Sequence, residues 1–548
     1  MRSALRVCAV LLALGPAAAQ GPPADLILVN GRVITVDAGF SIAEAVAIRD
    51  GRFVAVGTSE AVRRHAGPAT RTIDLRGRTA VPGLADNHLH NAGGGPGVDL
   101  SRARSVADVL AAVSARAKRI GPGRIVVSNR DWHEGQLREQ RLPLRRDLDA
   151  AAPDNPVVLV RGGHEYILNS AALNRWKIDE RTPQPSGGRI SRYDDGSLNG
   201  ELVDKAKSLV PSGEIGPLMF PGATYEERLA AKVAEYRTLH AAGLASVRHP
   251  GVSLDEYRML ADIRKRGLLT MRVRVLLDRS SVGELRQGEG DEWLRVDGIK
   301  LMVDGGFEGG WMREPYEEPY GEKGTYRGLS LMADDTFTSI VRTFNRDGWR
   351  LFTHAVGDAA IDQVLAAYEA ADAEKAIAGR RWGIEHAFIA REDHFARMKT
   401  LGLAISAQHH LYLAAPSLVK YWGRDRAGRT TPLRAMIDAG LPVSIGTDSA
   451  VVPYPPLWVL YHFVTRDTIS GGVMGTDQRV TRQEALRAMT LGNAWLTFEE
   501  DIKGSIEPGK LADLTVLSDD ILTCPEKRIE QMDVLMTMVG GRVVFERQ

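Results

Sequence analysis

The 548-residue chain is poor in cysteine and has no excess of charge of either sign. Its two cysteines are Cys8 and Cys524, and 70 lysines and arginines are balanced by 69 aspartates and glutamates, for a net charge of +1. If the N-terminal segment that contains Cys8 is removed, no intrachain disulfide can form. Because the charge is nearly balanced and no basic run is present, we do not expect the protein to bind nucleic acid.

The N-terminus lacks a hydrophobic run long enough to span a bilayer. Arg2 and Arg6 precede an apolar run over residues 7–14, and the small residues Ala17-Ala18-Ala19 follow. This order is typical of a secretory signal peptide, and the run is too short for a membrane-spanning helix. We therefore predict a signal peptide over residues 1–19 with cleavage after Ala19, a periplasmic or secreted protein, and no membrane anchor after cleavage.

His88 and His90 lie two residues apart, after an apolar stretch and the turn-forming pair Pro82-Gly83. In a strand, residues at this spacing point to the same side, so both imidazoles can reach one ion. Two surface histidines are an equally open interpretation of the pair alone. The remaining candidates decide between the two interpretations.

Lys300 stands in the otherwise apolar run of residues 299–303. A lysine is rarely buried without a partner, because desolvation of its charge is costly. Carboxylation of the amine by CO2 would turn it into an anionic oxygen ligand able to bridge two metal ions. An ion pair with Asp297 or Asp304 at the mouth of a strand is the alternative.

Three further candidates, His354, His386 and Asp448, each end a short apolar strand. In parallel barrels, active sites are built at the C-terminal ends of the strands. A carboxylate at such a place can accept a proton from metal-bound water and pass it to a leaving group. Singly, the histidines could be ordinary hydrogen-bonded residues and Asp448 a turn or N-cap residue. Together with the earlier candidates, they predict one metal site and a hydrolase.

With 44% hydrophobic and 25% charged residues, the chain can bury a large core. Eight predicted strands, with helical patterns between most of them, favour an α/β fold with a (β/α)8 TIM-like barrel over residues 81–499. The first strand ends at His90, and the others are Leu244–Val247, Met271–Leu277, Gly298–Val303, Arg350–His354, Trp382–His386, Leu403–Gln408 and Val443–Asp448.

Residues 91–225 form a segment too long for one loop of a barrel, with a strand pattern of their own at Pro156–Arg161. We predict an inserted subdomain that leaves the first strand and overhangs the metal. Packing is an open alternative for each candidate substrate contact. These candidates are Trp132, His164 and Asn169 in the insert, His249 after the second strand, and Arg313 in the loop after Lys300.

These motifs resemble the amidohydrolase superfamily, in particular its family-3 branch, which includes N-substituted formamide deformylases. The resemblance covers nearly the whole chain after the predicted signal peptide. The motifs that carry it are Pro82–His90, Gly298–Lys300 with Asp304-Gly305, His354–Asp358, Glu385–Ala387 and Gly446–Asp448. This chain departs from the usual pattern at Thr447 and at Gly306-Phe307-Glu308, so the loop after Lys300 is expected to have its own shape.

The resemblance implies one or two divalent metal ions, with zinc expected, and assigns the candidate residues to roles. His88, His90, His354 and His386 would bind metal, Lys300 would be the N6-carboxylated bridging lysine, and Asp448 would be both a ligand and the proton shuttle. It also implies that strands in residues 24–80 and 500–548 pair into one small β-sandwich, to which the turn Asn30-Gly31 contributes a hairpin signal.

The implied reaction is hydrolysis of a carbon–nitrogen bond in a small non-peptide or cyclic amide by metal-activated hydroxide. Hydrolysis of an ester, lactone or carbamate would use the same site. A non-catalytic exported protein that binds a metal or ligand is a second alternative, against which the complete ligand set argues. We expect a small amide-like substrate and leave a homo-oligomer open.

Overall fold

The computed structural model describes residues 22–220, 222, 224–317, 324–451 and 455–548. The predicted signal peptide of residues 1–19 lies outside the described residues. Eight parallel strands form the central sheet. They are β1 (Leu84–Asp86), β2 (Leu244–Val252), β3 (Arg272–Asp278), β4 (Leu294–Met302), β5 (Leu351–Ala355), β6 (Gly383–His386), β7 (Ala404–Gln408) and β8 (Val443–Gly446).

The eight strands follow one another in chain order around a barrel, each parallel to the next. Main-chain hydrogen bonds join its two ends: Asp448 N donates to His88 O over 2.7 Å, and His90 N donates to Ser449 O over 2.6 Å. Most strand residues are buried, as expected for a parallel sheet covered on both faces. The predicted (β/α)8 fold is confirmed.

Two predicted strands were too long at their C-terminal ends. β1 ends at Asp86 and β8 ends at Gly446, so His88, His90 and Asp448 lie in the loops that follow. The cause is local: the side chain of Asp86 accepts a hydrogen bond from His88 N at 3.1 Å, a donor that a regular strand would use in its ladder. The alternation of side chains along a strand therefore does not determine the directions of His88 and His90.

Helices pack around the barrel through amphipathic faces. Asp334–Arg346, for example, buries Phe337 and Val341 four residues apart. Tyr225–Ala241 begins with a capping box in which Thr224 and Glu227 satisfy each other's main-chain N–H groups. The other helices here are Leu254–Lys265, Asp358–Asp372, Glu392–Leu401, Leu411–Trp422, Arg424–Gly428, Leu433–Asp438, Pro456–Thr465, Arg482–Met489 and Leu491–Leu496.

An insert with its own sheet lies between β1 and β2. Its five strands, in spatial order, are Gly188–Arg192, Leu198–Asp204, Glu165–Leu168, Val157–Arg161 and Val126–Val127. Its helices are Val106–Ile120, Arg145–Ala151, Ser170–Arg175 and Ser212–Met219. Separate apolar clusters on the insert, one around Leu148 and one around Leu202, give it cores of its own.

Strands from the two chain ends form two further sheets. One contains Arg52–Gly57, Ala45–Arg49, Leu26–Val29 and Arg71–Asp74, and the other contains Arg542–Glu546, Val534–Val539, Leu514–Leu517, Thr79–Pro82, Arg32–Ile34 and Ile42–Ala43. The short helix Ser59–Arg63 lies beside them. Leu28 and Val46 of the first sheet share a core with Leu514 and Met536 of the second, which is the sandwich expected from the resemblance. None of the helices in the described part of the chain is long and apolar enough to cross a bilayer.

A buried ion pair joins the terminal sheets to the barrel. Arg272 of β3 donates to both carboxylate oxygens of Asp513, at 2.7 and 3.0 Å, and both side chains are buried. We expect Asp513→Ala to lower the free energy of unfolding by about 3–5 kcal/mol, because it leaves a buried guanidinium without its counter-ion. Denaturant titration followed by circular dichroism measures the change.

The control for this change is Glu226→Ala, which removes one of the two carboxylate partners of Arg266, in an exposed pair at 2.8 Å. That substitution should alter the free energy of unfolding by at most about 1 kcal/mol. Equal effects of the two substitutions would show that the buried pair does not hold the terminal sheets to the barrel.

Candidate metal centre

The loops after β1 and β8 bring His88, His90 and Asp448 together. One potential ligand atom of each lies within 4.8 Å of the other two. His88 Nε2 and His90 Nε2 lie 3.4 and 3.3 Å from Asp448 Oδ1. This oxygen is buried and accepts no hydrogen bond in the described structure. Since buried polar atoms are normally satisfied, the arrangement suits a cation between the three side chains.

The other three predicted ligands lie beside this group. The His386 ring is 4.9 Å from that of His88 and 4.5 Å from that of His354, measured between centroids. Lys300 Nζ is buried without a hydrogen-bond partner in the described structure, although part of the side chain is exposed. Burial lowers the pKa of Lys300 to about 8, against the opposing effects of Glu385 and Asp448. A less basic amine is easier to carboxylate, so the environment suits the predicted modification.

The alternative partners considered for Lys300 are both engaged elsewhere. Asp297 lies 2.6 Å from Arg350. Asp304 accepts hydrogen bonds from the main-chain N–H groups of Trp311 and Gly357, each at 2.9 Å. Lys300 is therefore not a strand-mouth lysine neutralised by either aspartate.

Hydrogen bonds orient three of the histidine rings. His88 Nδ1 lies 2.6 Å from Glu385 Oε2, and His386 Nδ1 lies 2.7 Å from Gln408 Oε1, which leaves Nε2 of each ring for an ion. His354 uses Nε2 toward Gly305 O at 3.1 Å, which leaves Nδ1. Partners of this kind are what fix the ligating nitrogen in metal sites.

Burial keeps the imidazoles neutral, and contacts with neighbouring histidines keep the carboxylate of Asp448 ionised. Desolvation lowers the pKa of His88 to about 4 and holds the pKa values of His354 and His386 well below the usual range. Burial would raise the pKa of Asp448, but the effects of His88 and His410 outweigh it and hold that pKa well below its usual range. Neutral imidazoles with one carboxylate are a suitable donor set for a divalent ion such as zinc.

Two contributors to the site were not predicted as such. His410 Nε2 lies 3.0 Å from Asp448 Oδ2, so it holds the oxygen that His88 and His90 do not approach. Glu385 lies next to His386 but points away from it, to His88 and to Arg248 Nη2 at 2.7 Å. The only feature of the sequence that pointed to His410 was its position just after β7. Its spacing from the other candidate ligands did not distinguish it.

Two of the predicted substrate contacts lie near the cluster. The His164 ring is 5.3 Å from that of His354, and its Nδ1 lies 2.6 Å from Asp204 Oδ1. His249 Nδ1 lies 2.6 Å from Leu89 O, between the two loop histidines in sequence. His164 lines the narrow space over the cluster, and His249 lines a larger cavity beside it.

The other three predicted contacts have structural partners instead. Trp132 is buried in the core of the insert, where Nε1 donates to Val160 O over 2.8 Å. Asn169 is buried as the N-cap of the helix Ser170–Arg175. Arg313 donates to Asp362 through two nitrogens, each at 2.7 Å. The structure does not bring these three residues to the pocket, because their polar groups are already satisfied elsewhere.

Directly over the cluster the free space is narrow, about 20 Å³. Phe307 and Phe388 line it with ring centroids 5.9 Å apart. Phe307 belongs to the departure from the usual family pattern after Lys300, and it forms part of the wall of this narrow space. His133 also lines it: its Nδ1 accepts from Gly135 N at 2.9 Å, so the neutral ring carries its proton on Nε2, which has no partner among the described residues.

Comparisons with known proteins agree with this fold. Residues 71–545 match the amidohydrolase family. The chain is 31% identical to the N-substituted formamide deformylase of Arthrobacter pascens, over 95% of this chain and 98% of that protein. It is 28% identical to the protein LONG AFTER FAR-RED 3 of Arabidopsis thaliana, over 96% and 92%. The crystal structure of a metal-dependent hydrolase from Pyrococcus furiosus has a TM-score of 0.66 and 26% identity, covering 91% of this chain and 100% of that one.

The hydrogen bond between Glu385 and His88 gives a first test of the metal centre. We expect Glu385→Gln to weaken zinc binding by about 10- to 100-fold, because a carboxylate that orients a ligating histidine also raises its basicity. Competition with a chelator, measured on folded protein, gives the dissociation constant.

Asp297→Asn is the matched control, since that buried carboxylate pairs with Arg350 and lies 3.9 Å from the same Arg248 that binds Glu385. It should leave zinc affinity unchanged even if it lowers stability. An unchanged affinity in Glu385→Gln would mean that His88 is not a ligand oriented through Glu385.

Proposed function

Because this chain belongs to the amidohydrolase family, we propose that it is a hydrolase that cleaves a carbon–nitrogen bond in a small non-peptide or cyclic amide. The family resemblance predicted from the motifs is confirmed, and it makes the chain a metal-dependent hydrolase by class. Beyond this class, we propose the type of bond that is cleaved, the kind of substrate and the roles of single residues.

The carboxylate of Asp448 is the feature that best supports this reaction. Its Oδ2 is held by His410, while its Oδ1 is buried, ionised and without a hydrogen-bond donor in the described structure. A carboxylate with one oxygen fixed by a hydrogen bond and the other without a donor is placed to accept a proton from an attacking water. The same group then delivers that proton to the departing nitrogen, as base and then acid.

The residues around Asp448 would hold one or two divalent ions, with zinc expected. A bound ion would lower the pKa of water and polarise the scissile carbonyl. His88, His90, His354 and His386 would supply neutral nitrogens, and an N6-carboxylated Lys300 would be needed to bridge two ions. These assignments follow the donor geometry and the family resemblance.

The narrow space beside Phe307 and Phe388 supports a substrate with a small acyl group. A volume of about 20 Å³ favours a small group at this position. His133 borders this space with an unpaired N–H group, which suits a hydrogen bond to a substrate oxygen. One relative is named for deformylation of N-substituted formamides, a reaction with the smallest acyl group.

A panel of matched substrates tests the proposed function. Purified protein should be loaded with zinc in the presence of bicarbonate, its metal content measured, and N-formyl amides, N-acetyl amides and cyclic amides compared with the corresponding esters and lactones. We expect hydrolysis of one amide class that a chelator abolishes and zinc restores. Faster cleavage of esters or lactones would favour the alternative bond, and a protein that binds no metal would contradict the proposed function.

The role of Asp448 gives a sharper expectation. Asp448→Asn should lower kcat by about 10²- to 10⁴-fold, because an amide cannot accept the proton. Metal content, measured on the same preparation, separates a lost proton acceptor from a lost ligand. Unchanged turnover with metal retained would remove Asp448 from the reaction.

A further inference from the structure

A large cavity reaches the candidate metal centre at His90 and is not lined by Phe307. Its volume is about 1010 Å³, compared with about 20 Å³ for the space over the cluster. His90, whose side chain is 35% exposed, lies in its wall, and His90 Nε2 is 3.3 Å from Asp448 Oδ1. A molecule in this cavity therefore lies next to the residues proposed to react with it.

Arg130 of the insert also lines this cavity. Its Nε is buried, and no hydrogen bond or ion pair to it is present among the described residues. Asp131 and Asp448 attract Arg130 at longer range, but neither forms an ion pair with it in the described structure, and Asp131 Oδ2 accepts a hydrogen bond from Gly94 N at 2.8 Å. Arg130 is therefore a half-buried cation with no counter-ion at contact distance among the described residues.

Other cationic side chains of the protein do have carboxylate partners. Lys232 and Arg258 line the same cavity, but they lie 2.9 Å from Glu235 and 2.7 Å from Glu284. A buried arginine elsewhere in the insert, Arg161, contacts three carboxylates, namely Glu134, Glu165 and Glu308. The fold thus supplies partners to comparable cations and supplies none to Arg130 in the described part of the chain.

An unpaired guanidinium is expensive to bury, and its planar set of donors matches a carboxylate. The rest of the wall is partly apolar, with Met219, Phe220, Val252 and Met259 among its residues. A ligand that satisfies both features has an apolar body and one carboxylate. The narrow space at Phe307 cannot hold such a body, so it would extend from the reacting bond into the large cavity.

We propose that Arg130 binds a carboxylate on the amine portion of the substrate, so that the enzyme prefers anionic amides with an apolar body. The claim that the bound carboxylate belongs to a substrate rests on the proposed function. The carboxylate site itself can be tested by binding alone. Nothing in the proposed proton transfer depends on Arg130.

The binding test uses two probes of nearly equal shape, 3-phenylpropanoate and 3-phenylpropanamide, titrated calorimetrically into the zinc-loaded protein. We expect the carboxylate to bind about 10- to 100-fold more tightly than the amide, as for a hydrogen bond between charged groups. Arg130→Gln should abolish this preference and Arg130→Lys should retain part of it. Arg258→Gln, which alters a cation of the same cavity that has a carboxylate partner, should keep it in full.

Two results would overturn the inference. One is wild-type protein that binds both probes equally. The other is a preference that survives in Arg130→Gln, since the carboxylate would then be bound by the metal ion. If Arg130→Gln does not fold, the wild-type preference and the Arg130→Lys variant still decide between these results.

Kinetics separate this inference from the proposed function. The formamides of 4-(aminomethyl)benzoate and of benzylamine differ in one carboxylate, and Arg130→Gln should raise KM about tenfold or more for the first alone, with little change in kcat. Equal losses for both compounds would make Arg130 structural. If neither is hydrolysed while the binding preference depends on Arg130, the proposed function fails and the carboxylate site stands.

Discussion

The candidate site depends on the way Asp86 joins the first and last strands of the barrel. Its carboxylate accepts hydrogen bonds from His88 N at 3.1 Å, from Thr447 N at 3.0 Å and from Thr447 Oγ1 at 2.6 Å. One buried side chain thus fixes the two loops that carry His88 and Asp448. Gly446 allows the close approach, because a Cβ there would lie 2.3 Å from Asp86 Oδ1. Thr447, a departure from the usual family pattern, supplies two of the three donors.

The barrel could be predicted from the sequence because its strands are short apolar runs that end in residues with chemical functions. The eight strands lie close to their predicted positions, and the six ligand candidates lie in one region of the fold. The ends of β1 and β8 could not be predicted, because hydrogen bonds of Asp86 set them. One of these bonds is to Thr447, 361 positions away in sequence, and another is to His88 in the loop that follows β1. The reason given for pairing His88 with His90 was therefore wrong, although both do approach Asp448.

Residues that act through others were harder to predict than the ligands. Glu385 was named only as the first residue of the motif that contains His386, yet its side chain reaches His88 Nδ1. His410 had no spacing that distinguished it from His409 or His249. Trp132 and Asn169 looked available as polar groups in the insert, but each satisfies main-chain atoms that lie close only after folding. Sequence order records which side chains are present, whereas these roles depend on which donors the fold leaves unpaired.

The insert contributes residues to both of the spaces beside the candidate metal centre. His133 and His164 lie on the side of the narrow space, and Asn129 and Arg130 lie on the side of the large cavity. The ligands come from the barrel itself or from the loops that Asp86 holds. Changes in the insert can therefore alter the groups that meet a substrate without moving the ligands. Substrate choice would then depend on the insert together with Phe307 and Phe388 of the barrel loops, whereas the ligands belong to the barrel.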